Sequence, residues 1–410
     1  MKLLVKSLLR SLFPAVGVIL AGCSSTGAET DEPAPDLSEE WTMGLYLRLG
    51  DTAASGSRAP SDGTYDPGAG YENYIDMTGS DPDMRVYLFT ADTNTLISEL
   101  SAPKVEFYSA TESSKTYFLY FEINDDFKSR YTGDGKKFKM VMLANWRHKY
   151  PETVVGTTTI DELVKSAEAI MDYPYTPESP IPASLTAADA IPLFGVSEYS
   201  DIEPGDPKVM TLLPQTLHLL RAYAKVELFA ADYTADFAGG KLDEDTYKKL
   251  NDITSVTLTR YSTKLRKAPE GVVHQDDYVK GNYEQDYGPA PTLVADDPGA
   301  LNLPLLRSDD GHFITYIPEF KNMDKKSDEQ ARLMVRYADG MVYDIEFKDY
   351  ANPDSTTGEC ACFDIRRNYW YRFSLRRGDD SPFTMEVDVV PYGEVILEPD
   401  FGIDIEDGNP

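Results

Sequence analysis

The chain has 410 residues, of which 41% are hydrophobic, and its formal net charge at pH 7 is −30. This charge argues against a nucleic-acid partner and against docking on anionic lipid, because both require concentrated lysine and arginine. The length suits two domains of about 150–200 residues each. The 27 tyrosines and 17 phenylalanines favour β-rich structure over helix bundles.

The first segment of the chain has the features of a lipoprotein signal. Three basic residues precede an uncharged, mostly apolar stretch, residues 11–21, whose last two residues begin the sequence Leu20-Ala21-Gly22-Cys23. Small residues at the cut admit a signal peptidase, and a thiol directly after it can carry a lipid. The apolar run is shorter than the roughly 20 residues that a membrane-spanning helix needs. We therefore expect residues 1–22 to be removed and Cys23 to be lipidated.

The predicted folded part begins near Trp41. Residues 23–40 are rich in Ser, Thr, Asp, Glu and Pro without apolar periodicity, and this composition is typical of a flexible, acidic tether. The segment Met43–Leu49 alternates at period two, which predicts a β-strand with its leucines on one face. A long polar stretch, Gly50–Gly70, follows this strand, and loops of such length are often functional.

One arginine stands out in that polar stretch. Arg58 lies among small residues in the segment Ala54–Pro60. Proteases need extended, exposed chain, and nicking concentrates in such loops. On this loop alone, however, an ordinary loop arginine is the favoured interpretation.

The rest of the chain is predicted to be mostly strand. One amphipathic helix is predicted over Ile160–Met171, and Leu217–Ala230 is predicted to open a second unit. Two all-β sandwiches, residues 41–216 and 217–410, best fit this layout, with a short helix and long loops. The further predicted strands are Met84–Thr90, Lys104–Tyr108, Thr116–Ile123, Lys137–Asn145, Val209–Leu213, Ile253–Tyr261, Phe313–Pro318, Ala331–Tyr337, Met341–Phe347, Cys360–Leu375 and Thr384–Val390.

The sequence carries few signs of catalytic chemistry. It lacks a GxSxG elbow, a Walker A loop, an HExxH pair and a GxGxxG turn after a strand. Cys360 and Cys362 alone are not a zinc site, and we expect them to be small apolar core residues. We therefore predict a protein that is not an enzyme and has no cofactor or metal. The four scattered histidines are expected to be solvated or at the edge of the core: His148, His218, His274 and His312.

Four segments, taken in order, point to a known family. They are Leu45–Leu49 with Ser57–Ala59, the apolar run Val141–Trp146, the strand Leu220–Glu227, and Ile365–Leu375 with Val389–Tyr392. The fourth contains an arginine–asparagine pair followed by aromatic residues and a terminal valine–proline–tyrosine. Together with the lipid signal, these segments resemble the fimbrillin superfamily, the pilin lipoproteins of Bacteroidetes fimbriae.

The resemblance implies an architecture and a mode of assembly. It implies two transthyretin-like β-sandwiches in tandem, in a fimbrial subunit at the outer membrane and cell surface. A trypsin-like, arginine-specific protease would cut between Arg58 and Ala59 and free the strand that carries Leu45, Leu47 and Leu49. A donor strand from another pilin subunit, of the same or a paralogous kind, would fill the open groove, and head-to-tail contacts of this kind build filaments.

Two other functions remain open from the sequence. A surface glycan-binding lipoprotein would stack sugars on Trp146, Trp370 or the tyrosine-bearing residues 261–288, although core packing is favoured for both tryptophans. A lipidated glycosidase would need two carboxylates at a fixed separation in space. Near the C terminus, alternating apolar residues predict β-structure over Glu386–Phe401 that can serve as a donor strand.

Overall fold

The computed structural model describes residues 41–50, 75, 82–101, 104–110, 114–147, 149–165, 191–205, 211–213, 217–231, 243–262, 265, 267–268, 298–299, 302–308, 311–319, 321–323, 325–350, 353–378, 384–391 and 395–397. These residues form four β-sheets and three short helices, which confirms the predicted all-β class. The tandem arrangement of two sandwiches stays a prediction.

The elements follow one another along the chain with strands predominating. The helices are α1 (Asp125–Tyr131), α2 (Ile160–Lys165) and α3 (Glu244–Asn251). The strands are β1 (Trp41–Gly50), β2 (Met84–Thr90), β3 (Leu96–Ser101), β4 (Lys104–Ala110), β5 (Ser114–Ile123), β6 (Lys137–Ala144), β7 (Leu193–Ser200), β8 (Thr211–Leu212), β9 (Leu217–Arg221), β10 (Tyr223–Ala230), β11 (Ile253–Thr259), β12 (Tyr261–Ser262), β13 (Pro298–Gly299), β14 (Leu303–Pro304), β15 (Leu306–Arg307), β16 (Phe313–Pro318), β17 (Arg332–Tyr337), β18 (Val342–Glu346), β19 (Tyr369–Arg376), β20 (Thr384–Pro391) and β21 (Val395–Leu397).

The largest sheet has ten strands, nine of them in the order β3-β2-β6-β7-β9-β21-β1-β5-β4, with β8 beside β1. A five-stranded sheet has the order β15-β16-β10-β19-β20, and a four-stranded sheet has the order β14-β11-β17-β18. The remaining pair is β12 with β13.

The strands β2 and β6 are buried on both faces of the ten-stranded sheet. Their odd-numbered residues, such as Tyr87 and Val141, enter a large hydrophobic cluster that also contains residues of the five- and four-stranded sheets. Their even-numbered residues, such as Val86 and Met140, enter a smaller cluster that includes Met43 and Leu45 of β1. Burial on both faces explains why these strands have nearly continuous apolar sequences.

The predicted strand Leu217–Ala230 is wrong as a single strand. It is divided at Ala222 into β9, which belongs to the ten-stranded sheet, and β10, which belongs to the five-stranded sheet. The Ala222 N–H donates to the Pro192 carbonyl at 2.8 Å, in the register that pairs β9 with β7. The chain therefore passes from one sheet to another at this residue.

The predicted strand Cys360–Leu375 is also shorter than expected, since the regular strand begins only at Tyr369. Asn368 has φ 59°, a left-handed conformation that interrupts an extended chain and that asparagine tolerates better than most residues. Cys360 and Cys362 are free, half-buried thiols ahead of that point, so their expected place in the core is wrong.

Local capping explains the helices. The predicted helix begins at Ile160 as expected and is described as far as Lys165. Its start is a reciprocal capping box, in which the Glu162 N–H donates to Thr159 Oγ1 and the Thr159 N–H donates to Glu162 Oε2. The helices α1 and α3, which the sequence analysis missed, begin at Asn124 and Asp243 caps.

Candidate functional site: an interior strand and its neighbours

The strand β1 lies in the interior of the ten-stranded sheet. One edge pairs with β5 in antiparallel register at all ten positions, from Trp41 opposite Ile123 to Gly50 opposite Ser114. The other edge pairs with β8 at Met43 and Gly44 and with β21 at Arg48. Backbone groups of β1 are therefore satisfied by three separate segments of the chain.

The side chains of β1 also complete a core. Met43 is fully buried and Leu45 is 4% exposed, and both belong to the smaller cluster with Leu119 and Phe121 of β5. Burying a leucine side chain is worth roughly 1.5–3 kcal/mol. Removing β1 would therefore open a hydrophobic groove in the first half of the protein.

The other predicted site residues lie partly or wholly outside the described residues. The backbones of Leu47 and Leu49 lie in β1 opposite Tyr117 and Lys115, while their side chains lie outside the described residues. Cys23, Arg58 and Ala59 lie outside the described residues altogether.

The three-residue strand β21 lies between β9 and β1 in the ten-stranded sheet. It therefore joins the strands β3-β2-β6-β7-β9 to the strands β1-β5-β4. It pairs antiparallel with β9, where Val395 is opposite Leu219, and with β1, where Ile396 is opposite Arg48. Within the predicted stretch Glu386–Phe401, β20 and this strand confirm β-structure over residues 386–391 and 395–397, while residues 392–394 and 398–401 lie outside the described residues. A segment near the C terminus thus borders the strand nearest the start of the fold.

The arginine–asparagine pair of the sequence motif is a buried structural junction. Arg367 is fully buried, with Nη2 2.7 Å from Glu319 Oε1, and its Nη1 donates to the Lys267 carbonyl at 3.2 Å. Asn368 Oδ1 accepts from the Arg221 N–H at 3.3 Å and from Arg221 Nη1 at 3.2 Å. These contacts fix the point where the chain leaves β9 for β10.

The side chain of Lys267 lies close to this junction. It is 1% exposed, and its Nζ lies 5.6 Å from the centre of the Trp146 ring. Burial lowers the pKa of Lys267 to about 8, because a low dielectric disfavours the charged form.

The tryptophans proposed for glycan binding are buried. Trp146 is fully buried and donates its indole N–H to the Leu193 carbonyl at 2.9 Å. Trp370 is 7% exposed. The centre of its ring lies 4.6 Å from Lys225 Nζ and 4.5 Å from Arg372 Cζ. In the segment 261–288, Tyr261 is 1% exposed and residues 269–288 lie outside the described residues. The tryptophans and Tyr261 therefore pack inside the protein, as expected for core residues.

One face of the five-stranded sheet carries an ionic cluster centred on Glu227. Its Oε1 lies 2.7 Å from His312 Nδ1, and its Oε2 accepts from Arg372 Nε at 3.1 Å. The His312 ring stacks on Phe229 with centroids 4.6 Å apart. Burial by itself raises the pKa of Glu227, but the His312 hydrogen bond and the charges of Lys225 and Arg372 outweigh burial and hold the pKa below its ordinary value.

This depressed pKa gives the first testable prediction. The stability that Glu227 contributes is present above its unfolded pKa and is lost as pH falls through the lower folded value. Glu227→Gln should therefore lower the free energy of unfolding by about 1–3 kcal/mol near neutral pH, and by much less at about pH 3. Urea unfolding at both pH values measures this difference. Glu359 is exposed, and Glu359→Gln should have the same free energy of unfolding as the wild type at both pH values. If the loss of stability in Glu227→Gln is the same at both pH values, the lowered pKa of Glu227 is contradicted.

The described residues hold little else that suggests a ligand site. Among them, no group of three or more His, Cys, Asp or Glu residues could hold a metal ion. No helix in the described part has the length and apolar character that crossing a membrane requires. Of the four histidines, His312 joins the ionic cluster and His218 contributes its backbone to β9, while His148 and His274 lie outside the described residues.

Comparison with known proteins gives distant structural similarities. No family model and no curated protein sequence matches the chain. The tip fimbrial protein Mfa3 from Porphyromonas gingivalis is similar over 86% of this chain and 100% of its own, with 10% identity and a TM-score of 0.43. A fimbrial assembly protein from Parabacteroides distasonis is similar over 86% of this chain and 100% of its own, with 14% identity and a TM-score of 0.36. The fimbrial anchor protein Mfa2 from Porphyromonas gingivalis is similar over 87% of this chain and 99% of its own, with 10% identity and a TM-score of 0.29.

Proposed function

We propose that the protein is a structural or adhesive subunit of a cell-surface fimbria. In this proposal it is exported as a lipoprotein, cut after Arg58 by an arginine-specific protease, and assembled with other subunits by strand exchange. The observation that carries the proposal is the position of β1. This strand is paired at all ten positions of one edge and at three of the other, and its Met43 and Leu45 are buried in the smaller cluster, yet the residues directly after it contain the candidate cleavage site.

Two further features support this scheme. The described parts of the four segments of the fimbrillin resemblance fall on β1, β6, the β9–β10 crossover, β19 and β20, and all of these except the edge strand β20 are interior strands of the two largest sheets. The short strand β21 comes from the other end of the chain and is already bound beside β1. An extended segment that adds to an open sheet edge gains main-chain hydrogen bonds, and alternate side chains give it specificity.

Cleavage at Arg58 would change the competition for the groove. Before the cut, β1 is tethered to the rest of the fold through residues 51–74, so its effective concentration is high and an outside strand competes poorly. After the cut, β1 is no longer covalently linked to that fold, and a donor strand can replace it. A strand buried along its length then exchanges very slowly, which suits a fibre.

The N terminus of the mature protein on intact cells tests export and processing together. We expect mass spectrometry to find an unassembled form that begins at lipidated Cys23 and an assembled form that begins at Ala59. Cys23→Ser should abolish incorporation of labelled fatty acid, because only a thiol at that position accepts the diacylglyceryl group. Label that persists undiminished in this variant would refute the lipoprotein assignment, and an assembled form that is uncut at Arg58 would refute the processing step.

A further inference from the structure

The Trp41 end of β1 is held by contacts outside the sheet. The Trp41 indole N–H donates to Asp125 Oδ1 at 3.1 Å, and Lys128 Nζ lies 2.8 Å from the centre of the same ring. Both partners belong to α1, which follows β5, the strand that pairs with β1. The indole ring is therefore bound by one anionic and one cationic side chain of the same helix.

The helix α1 is itself firmly anchored. Phe127 is 4% exposed, and the centre of its ring lies 5.2 Å from that of Phe138 in β6. The Phe127 N–H donates to Asn124 Oδ1 at 2.8 Å, which caps the helix. A helix fixed in this way can resist movement of the Trp41 end of β1.

The Gly50 end of β1 is held differently. On the edge opposite β5, the only pairing among the described residues in this half of the strand is that of Arg48 with Ile396 of the three-residue strand β21. The chain that a cut after Arg58 would release continues from Gly50. The described contacts of the two ends of β1 thus differ: one end carries side-chain contacts to a packed helix, and the other adjoins a short strand and leads in sequence to the candidate cleavage site.

We propose that α1 is a latch for β1, so that β1 leaves the sheet from its Gly50 end and the contacts of Trp41 with Asp125 and Lys128 set the rate of final release. The inference rests on the proposed strand exchange, which requires β1 to leave. Asp125 and Lys128 are positioning residues for the exchanging strand in this scheme. The helix would then hold the old strand in place until an incoming strand has occupied most of the groove.

Hydrogen exchange on the uncut protein tests the latch without any need for cleavage or a partner. Because a charge-assisted hydrogen bond and a cation–π contact are lost, we expect Asp125→Ala with Lys128→Met to speed amide exchange at residues 42–45 about tenfold. The matched control is Asp126→Ala with Arg130→Met, which removes the same charges from the same helix through an ion pair that does not touch Trp41. Equal exchange rates in the two double variants would overturn the latch.

A second readout separates the latch from the proposed function. Nicked protein is mixed with a labelled synthetic peptide that has the sequence of residues 41–50, and its uptake is followed over time. We expect faster uptake in the Asp125→Ala, Lys128→Met variant than in the control. Equal uptake in both overturns the latch alone. No uptake in any nicked protein overturns strand exchange, and with it the latch.

Discussion

Replacing Arg367 by alanine should lower the free energy of unfolding by about 3–5 kcal/mol, since it leaves a buried carboxylate without its cationic partner. The side chains of Arg367 and Glu319 are 0% and 1% exposed, and no solvent is available to replace the lost contact. The Lys267 carbonyl would lose its donor as well. Denaturant unfolding followed by tryptophan fluorescence measures the change.

Two variants make this prediction specific. Arg336→Ala removes an exposed arginine of β17, and its free energy of unfolding should stay within about 0.5 kcal/mol of the wild-type value. Arg367→Met with Glu319→Leu removes both charges and should recover most of the lost stability, because well-packed apolar residues can replace a buried ion pair. If Arg367→Ala lowers the free energy of unfolding by no more than Arg336→Ala does, the buried junction does not stabilise the crossover from β9 to β10.

Deleting residues 394–410 should abolish polymerisation while the chain still folds. The deletion removes β21 but leaves β20, β1 keeps its ten-position pairing with β5, and β9 keeps β7. A subunit without this segment has no C-terminal strand to offer a neighbour. Light scattering of the protease-nicked protein should change from a broad distribution of polymers to a single monomer peak.

A shorter deletion controls for nonspecific effects of truncation. Removing residues 404–410 leaves β21 in place, so polymers should form as in the wild type. Polymers of normal length from the protein that lacks residues 394–410 would refute the donor role of the C-terminal segment.

Alternation, or an apolar run bounded by polar residues, was enough to predict most strands. The bounds of β2 and β16 agree with prediction at both ends, because apolar residues in these segments are flanked by polar turns. The division at Ala222 was missed, since the segments on both sides of it are mostly apolar and periodicity does not reveal which strand is a neighbour. The strand β7 was missed as well, because Gly195 and the polar residues Ser197 and Glu198 interrupt its apolar sequence.

The candidate site was predictable only in part. Alternation placed Leu45 on a buried face of a strand, as observed. The contact of β21 with β1, the Arg367–Glu319 pair and the Trp41–Asp125 hydrogen bond were not foreseen, because each joins residues far apart in the chain. A single sequence shows which residues are apolar or charged, whereas the pairing of distant residues depends on the assembled sheets.

Trypsin treatment of purified precursor, analysed on a denaturing gel run without boiling, tests strand exchange gated at Arg58 most directly. The wild type should give a ladder of high-mass species after cleavage. Arg58→Ala should stay monomeric, because β1 remains tethered and is paired at all ten positions with β5. Arg48 serves as the internal control, since it lies within the paired strand and should resist cleavage. Ladders of equal strength from Arg58→Ala, or a cut that maps to another residue, would contradict assembly controlled at this site.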